Sequence, residues 1–281
     1  MISGAGGSIG SEIVRQILQS NPKKIILLDI SEFNLFKIFE ETKALVNKNN
    51  YTCKIIPVLG DVNDSDHMAK IFASNNIDTV YHAAAYKHVP LVQEKHKSSK
   101  STESNFSGSF NFALEAAKAK IKSFVLISTD KAVRPTNVMG ASKRMAEISI
   151  QAINNSYKDT KLSMVRFGNV INSSGSVIPV FLDQISRGGP LTITDKDVVR
   201  YFMTIPEASN LVIQAGEMSE GGEVFILDMG EQMKVYDIAK RLIHLSGRSI
   251  AESSDSEGIE IVEVGLREGE KMFEELLISG N

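Results

Sequence analysis

Short apolar runs and amphipathic stretches alternate through the first half of the chain. Lys24 to Asp29, Lys54 to Gly60, Thr79 to Ala84 and Ser123 to Ser128 are apolar runs of strand length, with helical periodicity between them. Such runs predict strands buried on both faces, and their spacing predicts βαβ units: a parallel, doubly wound sheet with helices on both sides and right-handed crossovers. Leu162 to Phe167 continues the series. Beyond it Gly, Pro and Ser become denser, in Asn172 to Pro179 and Arg187 to Pro190. The pattern therefore predicts an α/β core over residues 1–168 and a smaller C-terminal substrate-binding lobe over residues 169–281. The two should interleave, because Glu223 to Leu227 predicts one more buried strand and Val235 to Ser246 a helix. Ahead of the first glycine only Met1 to Ser3 remain for a strand that ordinarily runs about five residues. The sequence thus reads as shortened at both ends.

Composition narrows the chemistry. With 281 residues, 42% of them hydrophobic, the chain can bury a full core. The single cysteine, Cys53, forms no internal disulfide and has no partner for a Cys-rich metal site, so a reducing, cytoplasmic setting and no metal are expected. A net charge of −3 and scattered lysines exclude nucleic acid as the expected partner. No apolar run reaches the roughly 18 residues of a spanning helix, so no membrane contact by this segment is expected.

A glycine loop follows the first strand stub. Gly4, Gly7 and Gly10 recur every third residue in Ser3-Gly4-Ala5-Gly6-Gly7-Ser8-Ile9-Gly10, just before a helical pattern. That spacing suits a tight turn, a close approach to a pyrophosphate and helix–strand packing, with the helix N-terminus offering free N–H groups. Alone, it is equally an ordinary βα turn. The next strand ends in Asp29, about twenty residues on, where a carboxylate accepts from adenosine ribose hydroxyls and repels a 2′-phosphate; this favours NAD over NADP. Asp61 and Val62, after the third strand, are placed to read the adenine, or form a turn with a helix cap. Ala83, Ala84 and Ala85 end the fourth strand beside the same loop.

The fifth strand runs into Thr129-Asp130-Lys131, and open parallel sheets bind ligands beyond the carboxyl ends of their strands. Thr129 can hydrogen-bond a sugar hydroxyl, Asp130 can act as an acid, and Lys131 as a base if desolvation lowers its pKa. A capped turn with a solvated ion pair is the plain alternative. Met139 and Lys143 lie four apart, on one face of the helix that follows.

At these residues the chain resembles the polysaccharide-biosynthesis branch of the nucleotide-sugar 4,6-dehydratases, which are extended short-chain dehydrogenases. The likeness lies in GAGGSIGSE, LLDISEFNL, HAAAYKHVPLV, ISTDKAVRPTNVMGASKRMAE, VRFGNVINSSGSVIP, RYFMTIPEA, FILDMGE and GLREGEKMFEELL, in order along nearly the whole chain. It implies a Rossmann-like fold, NAD, and a UDP-N-acetylhexosamine substrate. It also implies a homo-oligomer, and a cytoplasmic domain of a longer membrane-anchored protein. Most of the superfamily has Tyr-x-x-x-Lys where this chain has Met139 and Lys143; methionine there resembles the membrane-anchored subgroup. Thr129, Asp130 and Lys131 would then handle protons, with Lys131 drawing the C5 proton and Asp130 protonating the C6 hydroxyl. Lys143 would hold the nicotinamide ribose. The resemblance further points to Ser8 and Ile9 for the cofactor and to Asn169, Ser176, Val177, Arg200, Arg267 and Glu270 for the substrate, with a surface ion pair as the alternative for each arginine. Tyr86, Lys87 and His88 follow the fourth strand, where they can line the nicotinamide or sugar pocket, although a lone histidine is more often structural. Asn105 resembles the superfamily's structural asparagine, and Glu268 stands where proline is usual. The expected function is UDP-N-acetylglucosamine 4,6-dehydration. A nucleotide-sugar epimerase or reductase, or an inactive dinucleotide-binding protein, stands as the alternative.

Overall fold

Strands β1 (Ile2–Ser3), β2 (Lys24–Asp29), β3 (Lys54–Leu59), β4 (Thr79–His82), β5 (Ser123–Ile127), β6 (Lys161–Arg166) and β11 (Val224–Ile226) form a parallel sheet of seven strands, ordered β11-β6-β5-β4-β1-β2-β3. The computed structural model describes residues 1–87, 102–251 and 258–278. The order reverses between β1 and β4, which opens a crevice at their carboxyl ends. Short as it is, β1 is fixed on both sides: Ile2 registers with Leu27 and Tyr81, and Ser3 with Leu28 and His82.

Helices cover both faces, as the periodicity predicts. On one face α1 (Ser8–Leu18), α2 (Glu32–Asn49) and α7 (Ile205–Met218) bury Ile13, Val14, Leu18, Leu35, Ile38 and Val212 against the sheet. On the other, α3 (Ser65–Ser74), α4 (Ser109–Lys118) and α5 (Val138–Ser156) bury Met68, Phe72, Phe112, Ala146 and Ile150. At roughly 2 kcal/mol per fully buried large side chain, these two clusters dominate the stabilisation of the sheet.

Two strands differ from expectation. β3 and β11 were expected to be buried, yet both are sheet edges: β3 has only exposed and half-buried positions, and Ile226 of β11 is exposed. β3 also carries Pro57, which has no N–H to give a further strand.

The second half adds β7 (Asn169–Val170), α6 (Val177–Ser186), β8 (Leu191–Ile193), β9 (Val199–Arg200), β10 (Phe202–Met203), β12 (Met233–Lys234), α8 (Val235–Leu245) and β13 (Ile261–Glu263). Phe181, Ile185, Leu191, Ile193, Ala239, Ile243 and Ile259 pack there into a separate small core. The segment 265–278 then returns to the sheet, strapped by Arg200, whose guanidinium donates to the carbonyls of Lys271 and Met272 at 2.8 and 3.1 Å. No helix among the described residues is long and apolar enough to cross a membrane.

Candidate functional site

One cleft of about 550 Å³ lies over the carboxyl ends of β1, β4, β5 and β6. The glycine loop forms one wall. Gly4 turns with φ +63°, and a Cβ there would lie 2.7 Å from the Ala84 backbone nitrogen; a Cβ on Gly10 would lie 2.1 Å from the Gly4 carbonyl oxygen. Between them Gly7 caps α1 without any side-chain bond to the helix's first N–H groups, so these groups face the cleft unclaimed by a cap. The Asp29 carboxylate, buried at the end of β2, accepts from the N–H groups of Gly6 and Ser31, both at 2.9 Å. Each oxygen keeps further acceptor capacity.

Facing this wall is a second helix start. α6 begins after Ser176, whose side chain makes no cap bond and whose Oγ is buried with no hydrogen-bond partner. Ser176 and Val177 line the cleft with Asn169. The two walls touch where the Ser174 N–H donates to Ser8 Oγ at 3.2 Å. The cleft thus presents to one volume two helix starts without side-chain caps, each with its positive dipole end toward the space between them.

The floor carries the reactive groups. Thr129 lines the cleft and donates its hydroxyl to Asp130 Oδ1 at 2.9 Å. Asp130 itself is fully buried, and its Oδ2 has no hydrogen-bond partner among the described residues. An Asp130 that meets a sugar hydroxyl directly does not fit this placement: Thr129 and Lys131 stand between. Lys131 Nζ donates to Asp130 Oδ1 at 3.0 Å and to Asn169 Oδ1 at 3.3 Å, and lies 3.7 Å from Glu274 Oε1. The expected lowering of its pKa is not found. Burial pulls the Lys131 pKa down, but the carboxylates of Asp130 and Glu274 outweigh it and hold the ammonium above the ordinary lysine value.

Across the cleft Met139 and Lys143 share one face of α5, as their spacing predicts, and both are buried. Lys143 Nζ donates to the Ile127 carbonyl at 3.0 Å, and burial pushes its pKa down to about 8, with Glu147 partly opposing. Glu147 is bound by Arg166 at 2.6 Å, by Arg144 at 2.9 Å and by Ser128 at 2.6 Å. This sealed network fixes α5 against β5 and β6.

The other expected residues divide. Gly7, Ser8, Ile9, Gly10, Ala83, Ala85 and Lys87 line the cleft, while Gly4, Ala84 and Asp29 lie behind its wall. Asp61 closes a turn by accepting from the backbone and side chain of Asn63, both at 2.9 Å, and Val62 is in the core; the turn reading describes the bonds present. Asp64, not Asp61, caps α3. Arg200 is not a free fork: it is buried and pairs with Glu270 at 3.0 Å, so neither lines the cleft. Arg267 is exposed on the adjoining turn. Asn105 is structural, exchanging two 2.8 Å hydrogen bonds with the Tyr86 backbone from a π-helical turn at Glu103–Gly108. His88 lies outside the described residues. Asn34, Ser128, Ser174 and Phe202 also line the cleft and were not anticipated. All four lie in the segments that carry the resemblance, but their side chains alone assign them no role; loops distant in the chain bring them together.

The doubly wound sheet with a glycine loop at its switch point defines a Rossmann-like α/β fold, the class that holds dinucleotides at that point. The sequence model of the polysaccharide biosynthesis protein family matches residues 1–281, and the chain belongs to that family. It is 47% identical over 278 residues to the capsular polysaccharide biosynthesis protein CapD of Staphylococcus aureus, covering 99% of this chain but 44% of CapD. It is 34% identical over 281 residues to a UDP-glucose 4-epimerase of Rickettsia canadensis, covering 99% of this chain and 77% of that protein. Among solved structures, Pen from Bacillus thuringiensis superposes with a TM-score of 0.85 at 35% identity, over 98% of this chain and 79% of Pen. The dTDP-glucose 4,6-dehydratase DesIV of Streptomyces venezuelae, solved with NAD bound, has a TM-score of 0.80 at 20% identity, over 98% of this chain and 87% of that one, a likeness of fold.

Proposed function

We propose that this chain is an NAD-dependent 4,6-dehydratase of UDP-N-acetylglucosamine, making a UDP-4-keto-6-deoxy sugar for surface polysaccharide or glycan synthesis. The observation that carries the reading is the floor of the cleft: a hydroxyl, a sealed carboxyl behind it and an ammonium beside both, from the consecutive residues Thr129, Asp130 and Lys131. Sugar oxidation needs one proton acceptor, whereas elimination needs a base at C5 and an acid at C6.

NAD, when bound, supplies the hydride acceptor at C4 and the hydride that returns to C6. The start of α1 with Gly7 and Ser8 would hold its pyrophosphate, Asp29 its adenosine ribose, and Lys143 its nicotinamide ribose. The start of α6 with Ser176 and Val177, joined by Asn169 and the exposed Arg267, would hold the UDP diphosphate. Arg200 and Glu270 act from behind by fixing the strap.

Thr129 takes the C4 hydroxyl proton and hands its own to Asp130, which answers the absence of a tyrosine at Met139. Asp130 returns that proton through Thr129 to the C6 hydroxyl, which leaves as water. Lys131, as the neutral amine, removes the C5 proton and gives one back to C5 when hydride reaches C6. One water is lost, and every protein group ends as it began.

The test is NMR and mass analysis of UDP-N-acetylglucosamine incubated with protein and NAD in heavy water. Loss of one water with one deuterium at C5 is the expected result. The likeness to a UDP-glucose 4-epimerase favours a second reading, epimerisation, which the same experiment identifies by an unchanged composition and an inverted sugar centre.

A further inference from the structure

Glu274 reaches the active-site floor from the C-terminal strap, and the mechanism above leaves it unused. Its side chain is buried, its Oε1 lies 3.7 Å from Lys131 Nζ, and its Oε2 is buried without a hydrogen-bond partner. The strap has little freedom to retreat: the Val199 N–H donates to the Met272 carbonyl at 3.0 Å, Gln232 to the Glu274 carbonyl at 2.8 Å, and Lys271 Nζ to the Val133 carbonyl at 2.8 Å. Lys271 Nζ lies 4.0 Å from Glu274 Oε2, beyond hydrogen-bond reach and bonded to the Val133 carbonyl, so the buried carboxylate is poorly compensated and a proton on it removes most of that cost.

Lys131 presents the complementary problem. A C5 base must be a neutral amine, yet its neighbours keep the ammonium protonated. Asp130 is the nearest carboxylate, but the dehydration scheme needs it empty to receive the C4 proton through Thr129. The proton of Lys131 therefore needs a different acceptor, and among the described residues Glu274 is the other carboxylate within 4 Å.

We propose that Glu274 is the proton acceptor that arms Lys131: as the sugar nucleotide fills the cleft, an N–H bond of the ammonium breaks and an O–H bond forms on Glu274, leaving amine and carboxylic acid. The inference rests on the dehydratase reading, in which Lys131 is the C5 base. The charged groups facing Glu274 are Lys131, Asp130, Arg200 and Lys271. Burial, with Asp130 adding to it, pushes the Glu274 carboxyl up despite the three cations, which suits an acceptor. Because the proton stays within the pair, the armed fraction does not depend on bulk pH across the neutral range. Glu274 acts through Lys131 and is a positioning residue in that sense, setting the protonation of the base.

The test is the pH profile of dehydration by the NAD-loaded chain, wild type against Glu274→Gln, with UDP-N-acetylglucosamine as substrate. Wild type should show no limb from Lys131 between about pH 6.5 and 8.5, and a limb from Lys143 near pH 8 is common to both proteins and cancels in the variant-to-wild-type ratio. In Glu274→Gln the proton must leave to solvent, so kcat should rise about tenfold per pH unit, from a loss of roughly ten- to a hundredfold at pH 7 toward wild type at high pH, with KM little changed. A loss equal at every pH, marking a structural role, overturns the proposal, as does an unchanged or faster rate at pH 7. A turnover-free readout separates this idea from the function itself: acetic anhydride labelling of Lys131 at graded pH, read by mass spectrometry. With UDP-N-acetylglucosamine bound and no NAD added, coupling predicts labelling of wild-type Lys131 that stays level across neutral pH, and in Glu274→Gln labelling that falls at pH 7 and climbs with pH. A Glu274→Gln curve that merely moves to lower pH, the effect of losing one negative charge beside the ammonium, overturns it. If wild type forms no dehydrated product, the function reading fails, while the labelling curves still decide whether the two groups share a proton.

Discussion

The Thr129 hydroxyl donates to Asp130 Oδ1 at 2.9 Å, so a cleft-facing oxygen is wired to a carboxyl that the cleft does not reach. Under the proposed chemistry this pair replaces the missing tyrosine. Thr129→Val should lower kcat about a hundredfold, within the range of a lost proton relay, while Thr129→Ser should stay within about tenfold of wild type. Steady-state kinetics on both variants check this. Equal activity of the valine variant would show that Asp130 is served by another route.

Met139 lines the same cleft and has no proton to give. If its role is to fill space beside Lys143, the near-isosteric Met139→Leu should keep kcat within about threefold and cost less than about 1.5 kcal/mol of stability. A hundredfold loss would mean that the thioether itself contacts a reacting group.

Much of this site was legible because parallel sheets put function at strand ends. The glycine loop, Asp29, Thr129 to Lys131, and the Met139–Lys143 face all follow from local pattern and spacing. What stayed hidden depends on partners distant in the chain. Arg200 reads either as a diphosphate fork or as an ion pair until Glu270, 70 residues on, decides between them. Asp130 reads as a cleft acid until Thr129 and Lys131 are seen to cover it. Glu274 lies in the GLREGEKMFEELL segment, where nothing local distinguishes it from its neighbour Glu275, and only the strap brings it to Lys131. The edge position of β3 and β11 was hidden for the same reason: an apolar run of strand length does not report how many neighbours the strand finds.

Lys143 is costly to the fold. Its folded pKa, pushed down to about 8 mainly by burial, lies below the ordinary 10.5, so the unfolded chain binds more protons between those values. Stability therefore rises with pH across that window, and the full penalty, about 3 kcal/mol, applies below it. Lys143→Met removes the penalty and loses the hydrogen bond to Ile127, worth about 1 kcal/mol. The cofactor-free variant should be more stable by about 2 kcal/mol at pH 7, with the gain shrinking toward pH 10, and should lose catalysis. Denaturant titrations at pH 7 and 10 read this directly. A variant less stable at both pH values would show that Lys143 is a net structural asset.

His82 should dominate the acid limb of stability. It ends β4 in the core, its ring nitrogens 2.6 Å from Ser3 Oγ and 2.9 Å from Ser109 Oγ, so a neutral imidazole can donate at one nitrogen and accept at the other. Burial, helped by the charge of Lys143, pushes its pKa down to about 3 from the ordinary 6.5. The unfolded chain then binds the extra proton between pH 6.5 and 3, so this stability is present above 6.5 and drains as the pH falls. At about 1.4 kcal/mol per unit, acidification from pH 6.5 to 5 should cost roughly 2 kcal/mol through this one group. His82→Gln keeps a donor and an acceptor for the two serines but cannot titrate. It should be less stable at pH 7 through imperfect packing, and its denaturation midpoint should fall less steeply with acid than that of wild type. Parallel curves for the two proteins between pH 7 and 5 would place the acid sensitivity in other groups, and would mean that the His82 cavity admits water or an anion on protonation.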